Sequence, residues 1–122
     1  MLDLGLSKKL KDAGLAWEPA LGDLFYYQVG DHWEKDVLAE HDIKEATHQI
    51  IADWIFVPRL DQLIIYMEER GYRVESRHDA CYIFHPNKPH ICPWWQKFLA
   101  ENRTNAAGEA LLWILQQEQA VD

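Results

Sequence analysis

Apolar and polar positions in residues 58–119 follow two different periods. In residues 59–70, Leu60, Leu63, Ile64 and Met67 fall within about 100° of arc on a helix, one core-facing stripe, while Gln62, Glu68 and Glu69 lie away from its centre. Gly71 is a stop signal, and Pro58 suits the first helical turn, where its missing N–H costs nothing. The period then changes to two. Tyr72, Val74 and Ser76 share one strand face, and Arg73, Glu75 and Arg77 share the other. Asp79-Ala80 reads as a hairpin turn. Tyr82 and Phe84 alternate with Cys81, Ile83 and His85 in a second strand, and residues 94–101 supply a third that places Phe98 and Ala100 together. Residues 104–119 return to helical spacing, with Ala107, Ala110, Leu111, Ile114 and Leu115 as the stripe. Leu112 and Trp113 lie to either side of it, and only Glu109 and Gln116 form a polar strip. A helix this apolar must be covered on more than one side. The N-terminal half or a partner subunit is expected to cover it.

The first half of the chain predicts a helix over residues 7–13, with Leu6, Leu10 and Ala13 at helical spacing and Gly14 as its stop. Residues 24–29 (Leu-Phe-Tyr-Tyr-Gln-Val) have strong strand propensity, and Gly30-Asp31 reads as a turn into a strand over 32–38. Residues 39–49 fit a short helix or a loop. Residues 50–57 read as a buried strand interrupted by Asp53. Gly14, Glu18 and Phe25-Tyr26-Tyr27 stand 57 residues before Gly71, Glu75 and Tyr82-Ile83-Phe84, an echo with two identities that we attribute to chance. The fold expected is α+β. An antiparallel sheet carries helices mainly on one face, and the C-terminal half runs α-β-β-β-α. All 122 residues form a single domain made of an acidic half, 1–57, and a second half, 58–122.

Charge narrows the function. The net charge is −8. Residues 1–57 hold 11 Asp and Glu against 5 Lys and Arg, a balance of −6, and residues 58–122 hold 9 against 7, a balance of −2. Such a surface repels phosphate backbones and anionic membrane, so nucleic acid and membrane are not expected partners. No signal-peptide pattern opens the chain, no segment approaches the roughly 20 apolar residues of a membrane span, and two cysteines are too few for a disulfide framework. The expectation is a cytoplasmic protein with reduced thiols.

The chemistry-bearing residues do not assemble into a motif. His78, Cys81, His85, His90 and Cys92 are close in sequence, but Cys81 and His85 on one strand would stand about 13 Å apart at about 3.3 Å per residue, too far to share a metal. His41, Glu45 and His48 would share a helix face at i, i+4 and i+7, and Glu45-x-x-His48 has the form used in di-iron bundles. The rest of that ligand set is missing from the sequence, so a metal enzyme built on these three is the alternative reading. No nucleophile elbow or phosphate-binding glycine loop occurs, and no catalytic residue or cofactor is assigned. Six Trp in 122 residues is high, and Trp is enriched at interface hot spots. In Pro93-Trp94-Trp95 the adjacent tryptophans must point to opposite strand faces, one inward and one outward.

The run Pro58-Arg-Leu-Asp-Gln-Leu, the Glu-Arg-Gly-Tyr72 that follows, three strands, and Ala106-Ala-x-x-Ala-Leu-Leu-Trp-Ile-Leu115 resemble small phage and prophage proteins of Gram-positive bacteria described as phage ABA-sandwich domains. The resemblance covers about half the chain. It implies the α-β-β-β-α order and no activity. The same order is similar to that of double-stranded RNA-binding domains. Those domains start their last helix with lysines, whereas Asn102-Arg103-Thr104-Asn105 has one basic residue. The leading expectation is therefore a non-catalytic interaction or accessory protein, homodimeric or bound to another protein, with Trp94, Trp95, Leu112 and Trp113 as contacts. A nucleic-acid module is a further alternative.

Overall fold

A computed structural model describes residues 1–40, 53–84 and 95–120. The fold is α+β, with three helices and two three-stranded antiparallel sheets among the described residues. Helix α1 (Leu4–Asp12) precedes the hairpin β1 (Leu24–Val29) and β2 (His32–Val37), and β3 (Ile55–Val57) closes the first sheet. Helix α2 (Leu60–Glu69) leads into β4 (Arg73–Arg77), β5 (Ala80–Phe84) and β6 (Trp95–Leu99), and α3 (Arg103–Ala120) is last. The C-terminal order is thus α-β-β-β-α. Its strands form a sheet of their own rather than extending the first one, because β3 folds back to pair with β1, Phe25 opposite Phe56. The two sheets also differ in order, β2-β1-β3 against β4-β5-β6. The echo between the halves therefore stops at a helix followed by a hairpin.

Local chemistry sets the helix ends. Asp3 caps α1 by accepting from the Leu6 N–H at 2.8 Å, and its own N–H donates to Asn105 Oδ1 at 3.1 Å. This tie to α3 starts α1 at Leu4, earlier than its apolar spacing predicts. Asn102 Oδ1 in turn accepts from Asn105 N–H at 2.8 Å at the head of α3. Arg59, in extended conformation, is the N-cap of α2, so Pro58 stands one residue outside the helix rather than in its first turn. Gly14 and Gly71, with φ of 96° and 88°, end α1 and α2 in the left-handed region.

One core draws on both halves. Leu2, Leu6 and Leu10 from the α1 region and Val57 from β3 meet Leu63, Met67, Cys81, Ile83 and the α3 residues Ala106, Ala107, Ala110, Leu111, Ile114 and Leu115. The small residues on α3 let α1 approach closely. A Cβ added at Gly108 would lie 2.5 Å from Leu2 Cδ1 and 2.7 Å from Leu6 Cδ2. The N-terminal half thus supplies cover for α3. A second apolar cluster sits on the other face of the first sheet. Trp17 stacks on Phe56 at 5.2 Å between centroids, and Trp54 stacks on Phe25 at 4.3 Å.

Asp23 joins these parts. It is 3% exposed. Its Oδ2 accepts from Trp17 Nε1 at 2.9 Å and from the Ala20 N–H at 3.0 Å, and its Oδ1 accepts from Gln62 Nε2 at 3.1 Å. Arg59 stands 3.6 Å away. Gln62 also accepts from the Arg59 N–H at 2.8 Å, so a single carboxylate links the aromatic cluster to the start of α2.

The hairpin between β4 and β5 turns at His78-Asp79, since Arg77 pairs with Ala80. This displaces the turn expected at Asp79-Ala80. His78 has φ of 45°, a conformation that suits glycine. His78→Gly is expected to stabilise the chain by about 0.5 kcal/mol, the relief of left-handed strain outweighing the freer unfolded state. A rise in the denaturant midpoint at unchanged slope would show it.

Candidate functional site

The C-terminal sheet has two unlike faces. Register places Val74 beside Ile83 and Gln96, and Ser76 beside Cys81 and Phe98. This inner face packs on α3, where Phe98 meets Trp113 at 6.0 Å between centroids. The outer face is made of three rows across the strands: Arg73, Phe84 and Trp95; Glu75, Tyr82 and Lys97; and Arg77, Ala80 and Leu99. Trp95 is 42% exposed and Leu99 62%. The Tyr82 and Trp95 rings lie 6.5 Å apart. Arg73 sits 4.5 Å over the Phe84 ring and Lys97 Nζ 5.6 Å over the Tyr82 ring, both within cation–π range. Arg73 and Arg77 each reach Glu75, at 3.5 Å and 3.4 Å, with both guanidinium side chains mostly in solvent. A shallow depression of about 330 Å³ lies between Glu75, Arg77, Tyr82, Phe84 and Trp95. The result is an apolar and aromatic centre with three cations and one anion around it.

A larger cleft of about 760 Å³ opens where α1 meets the first sheet, lined by Lys8, Lys11, Asp12, Tyr27, Trp33 and Trp54 among others. Its two cations are engaged within the fold. Lys8 Nζ lies 4.7 Å over the Trp33 ring, and Lys11 Nζ donates to the Trp54 carbonyl at 2.9 Å.

The sequence candidates fall in different places. Trp95 lies on the outer face. Leu112 is 7% exposed within the core, so its side chain offers no surface to a partner. The apolar pattern of α3 that nominated it is explained by cover from this chain. Trp113 is half-buried against Phe98 and the core. Trp94, His41, Glu45 and His48 lie outside the described residues, as do His85, His90 and Cys92. Among the described residues no group of three His, Cys, Asp or Glu side chains is placed to hold a metal ion. No helix among them is long and apolar enough to cross a membrane.

Sequence reasoning set an outward tryptophan beside Lys97 but missed Arg73, Tyr82, Phe84 and Leu99 as members of the same surface. The alternation of Arg73, Glu75 and Arg77 with Tyr72, Val74 and Ser76 was the available signal. What it lacked was the register that sets Tyr82 and Phe84 between those cations and Trp95.

Cys81 lies on the inner face and is fully buried, and burial pushes its thiol up to about 11. At pH 8 a Cys92→Ser variant is therefore expected to react with a thiol reagent on the order of 100-fold more slowly folded than unfolded, because the thiolate is the reacting form. Equal rates in the two states would contradict this placement of Cys81. No protein-family model matches this chain, and no curated protein and no solved structure gives a significant match.

Proposed function

We propose that this chain is a small non-catalytic interaction protein and that the outer face of the C-terminal sheet is its docking surface. The observation that carries the reading is Trp95 and Leu99, both exposed on one strand, beside Tyr82 and within a ring of Arg73, Arg77 and Lys97. Interface centres are enriched in aromatic residues and arginine, and a few such anchors supply most of the binding energy. A cytoplasmic, phage-type accessory role fits the same reading, on the strength of the ABA-sandwich resemblance.

The test is site-specific photocrosslinking in the cells that make the protein. A photoreactive residue replaces Leu99 on the face or Ile65, which is 50% exposed on α2. Position 99 is expected to give discrete adducts of defined mass and position 65 none. Trp95→Ala is expected to weaken that contact by about 2 kcal/mol and so to suppress the adducts. No adduct from position 99, or the same set from both positions, would contradict the reading.

A further inference from the structure

The same chain carries a surface of opposite charge. In the first sheet, Phe25 pairs with Asp36, Tyr27 with Glu34 and Val29 with His32, so these residues share one face of the β1–β2 hairpin. Toward the hairpin tip this face is open. Val29 is exposed, as are His32, Glu34 and Asp36, and Asp31 projects from the turn. Glu34 Oε2 accepts from the Tyr27 hydroxyl at 3.1 Å, and Glu34 Oε1 lies 3.1 Å from His32 Nε2. The hydrogen bond with His32, then that from Tyr27, holds the Glu34 carboxyl below its ordinary range and keeps it an anion. Asp31, Glu34 and Asp36 thus flank Val29 and Tyr27, much as Arg73, Arg77 and Lys97 flank Trp95, Leu99 and Tyr82.

We propose that the acidic hairpin face of one copy docks on the basic, aromatic outer sheet face of a second copy. This inference rests on the reading of the outer face as a docking surface and names its occupant. Charge complementarity selects this pairing. The outer face set against itself would oppose Arg73, Arg77 and Lys97 to their own copies, and like charges across an interface are costly. A nucleic acid would meet the field of a chain at −8. The hairpin face brings carboxylates to the cations and Val29 to the apolar centre, in sheet-on-sheet packing. Because two different patches meet, the contact is head-to-tail and leaves each copy with one free patch, so it propagates into a ring or an open chain.

Sedimentation velocity on the whole chain tests this. The wild type is expected to associate beyond the dimer as concentration rises, with an association constant that falls about tenfold between about 0.05 M and about 0.5 M salt. Two variants each remove one patch: Trp95→Ala with Arg77→Glu, and Glu34→Lys with Asp36→Lys. Glu34, Asp36, Trp95 and Arg77 are exposed, so both variants are expected to keep the fold, which circular dichroism checks. Each variant alone is expected to be monomeric, and an equimolar mixture is expected to form a one-to-one complex, since each supplies the patch the other lacks. A wild type monomeric at about 1 mM would overturn the inference. So would a closed dimer indifferent to both variants, or a monomer that retards a single-stranded oligonucleotide through the outer face. A monomeric chain that still crosslinks from position 99 to a different protein overturns this pairing alone and leaves the docking surface standing.

Discussion

Asp23→Ala is expected to destabilise the chain by about 3 kcal/mol or more, the largest effect of any single polar change among the described residues. The substitution removes the acceptors of three donors at once, namely Trp17 Nε1, the Ala20 N–H and Gln62 Nε2, and it takes away the anion 3.6 Å from Arg59. A buried donor left without its acceptor costs about 1–3 kcal/mol, and breaking a buried charged network lies at the upper end. The three donors belong to the Trp17 loop, the turn before β1 and the first turn of α2. Their loss therefore loosens the aromatic cluster and the start of α2 together. Asp23→Asn keeps the shape and one acceptor oxygen but turns an NH₂ toward donors, so its cost is expected to be smaller, about 2 kcal/mol. Urea unfolding followed by tryptophan fluorescence measures both. A loss under about 1 kcal/mol for the alanine variant would mean that the Asp23 network is not formed as described.

Gly108→Val is expected to cost about 3 kcal/mol despite a gain in helix propensity. Replacing a mid-helix glycine normally favours the helix by up to about 1 kcal/mol. Here even a methyl group would stand 2.5 Å from Leu2 and 2.7 Å from Leu6, side chains that are themselves buried. Both leucines would have to leave their rotamers or α1 would have to move off α3, and overpacking of this kind costs about 1–3 kcal/mol per site. Gly108→Ala is expected to show the balance more finely, with a net loss of about 1 kcal/mol. Truncating the neighbours should relieve it. In a background with both Leu2→Ala and Leu6→Ala, each of which costs about 3 kcal/mol alone, a further change of Gly108→Ala should be neutral or favourable. Additive losses in the combined variant would place the α1–α3 crossing elsewhere.

How much could be read in advance depended on whether an element is held by local pattern or by distant partners. The strand at 24–29 and the helices around 60–69 and 104–119 were legible because propensity, apolar period and stop signals agree there. The start of α1 was not, because Asp3 is positioned by Asn105, 102 residues away. The β4–β5 turn was misplaced by one residue, since a histidine occupies the left-handed position where glycine would have marked the turn. The outer face of the C-terminal sheet was half legible. Its residues could be assigned to strand faces, but the order and register of β4, β5 and β6 bring them together, and hydrophobic alternation does not encode register between strands. Leu112 was nominated because an apolar flank on α3 reads the same whether the cover is internal or a partner, and burial inside this chain decides the matter.

The most direct measurement of the proposed docking surface is an amide resonance map of dilute isotope-labelled chain, recorded alone and after addition of excess unlabelled chain or of a cleared extract of the cells that make it. Resonances of residues 80–84 and 95–99 are expected to shift or broaden on one of these additions and to recover in the Trp95→Ala variant. Residues 60–69 of α2 are expected to stay unchanged. Changes confined to the cleft around Lys8, Trp33 and Trp54, with the C-terminal sheet unaffected, would contradict the assignment of the outer face as the site of interaction.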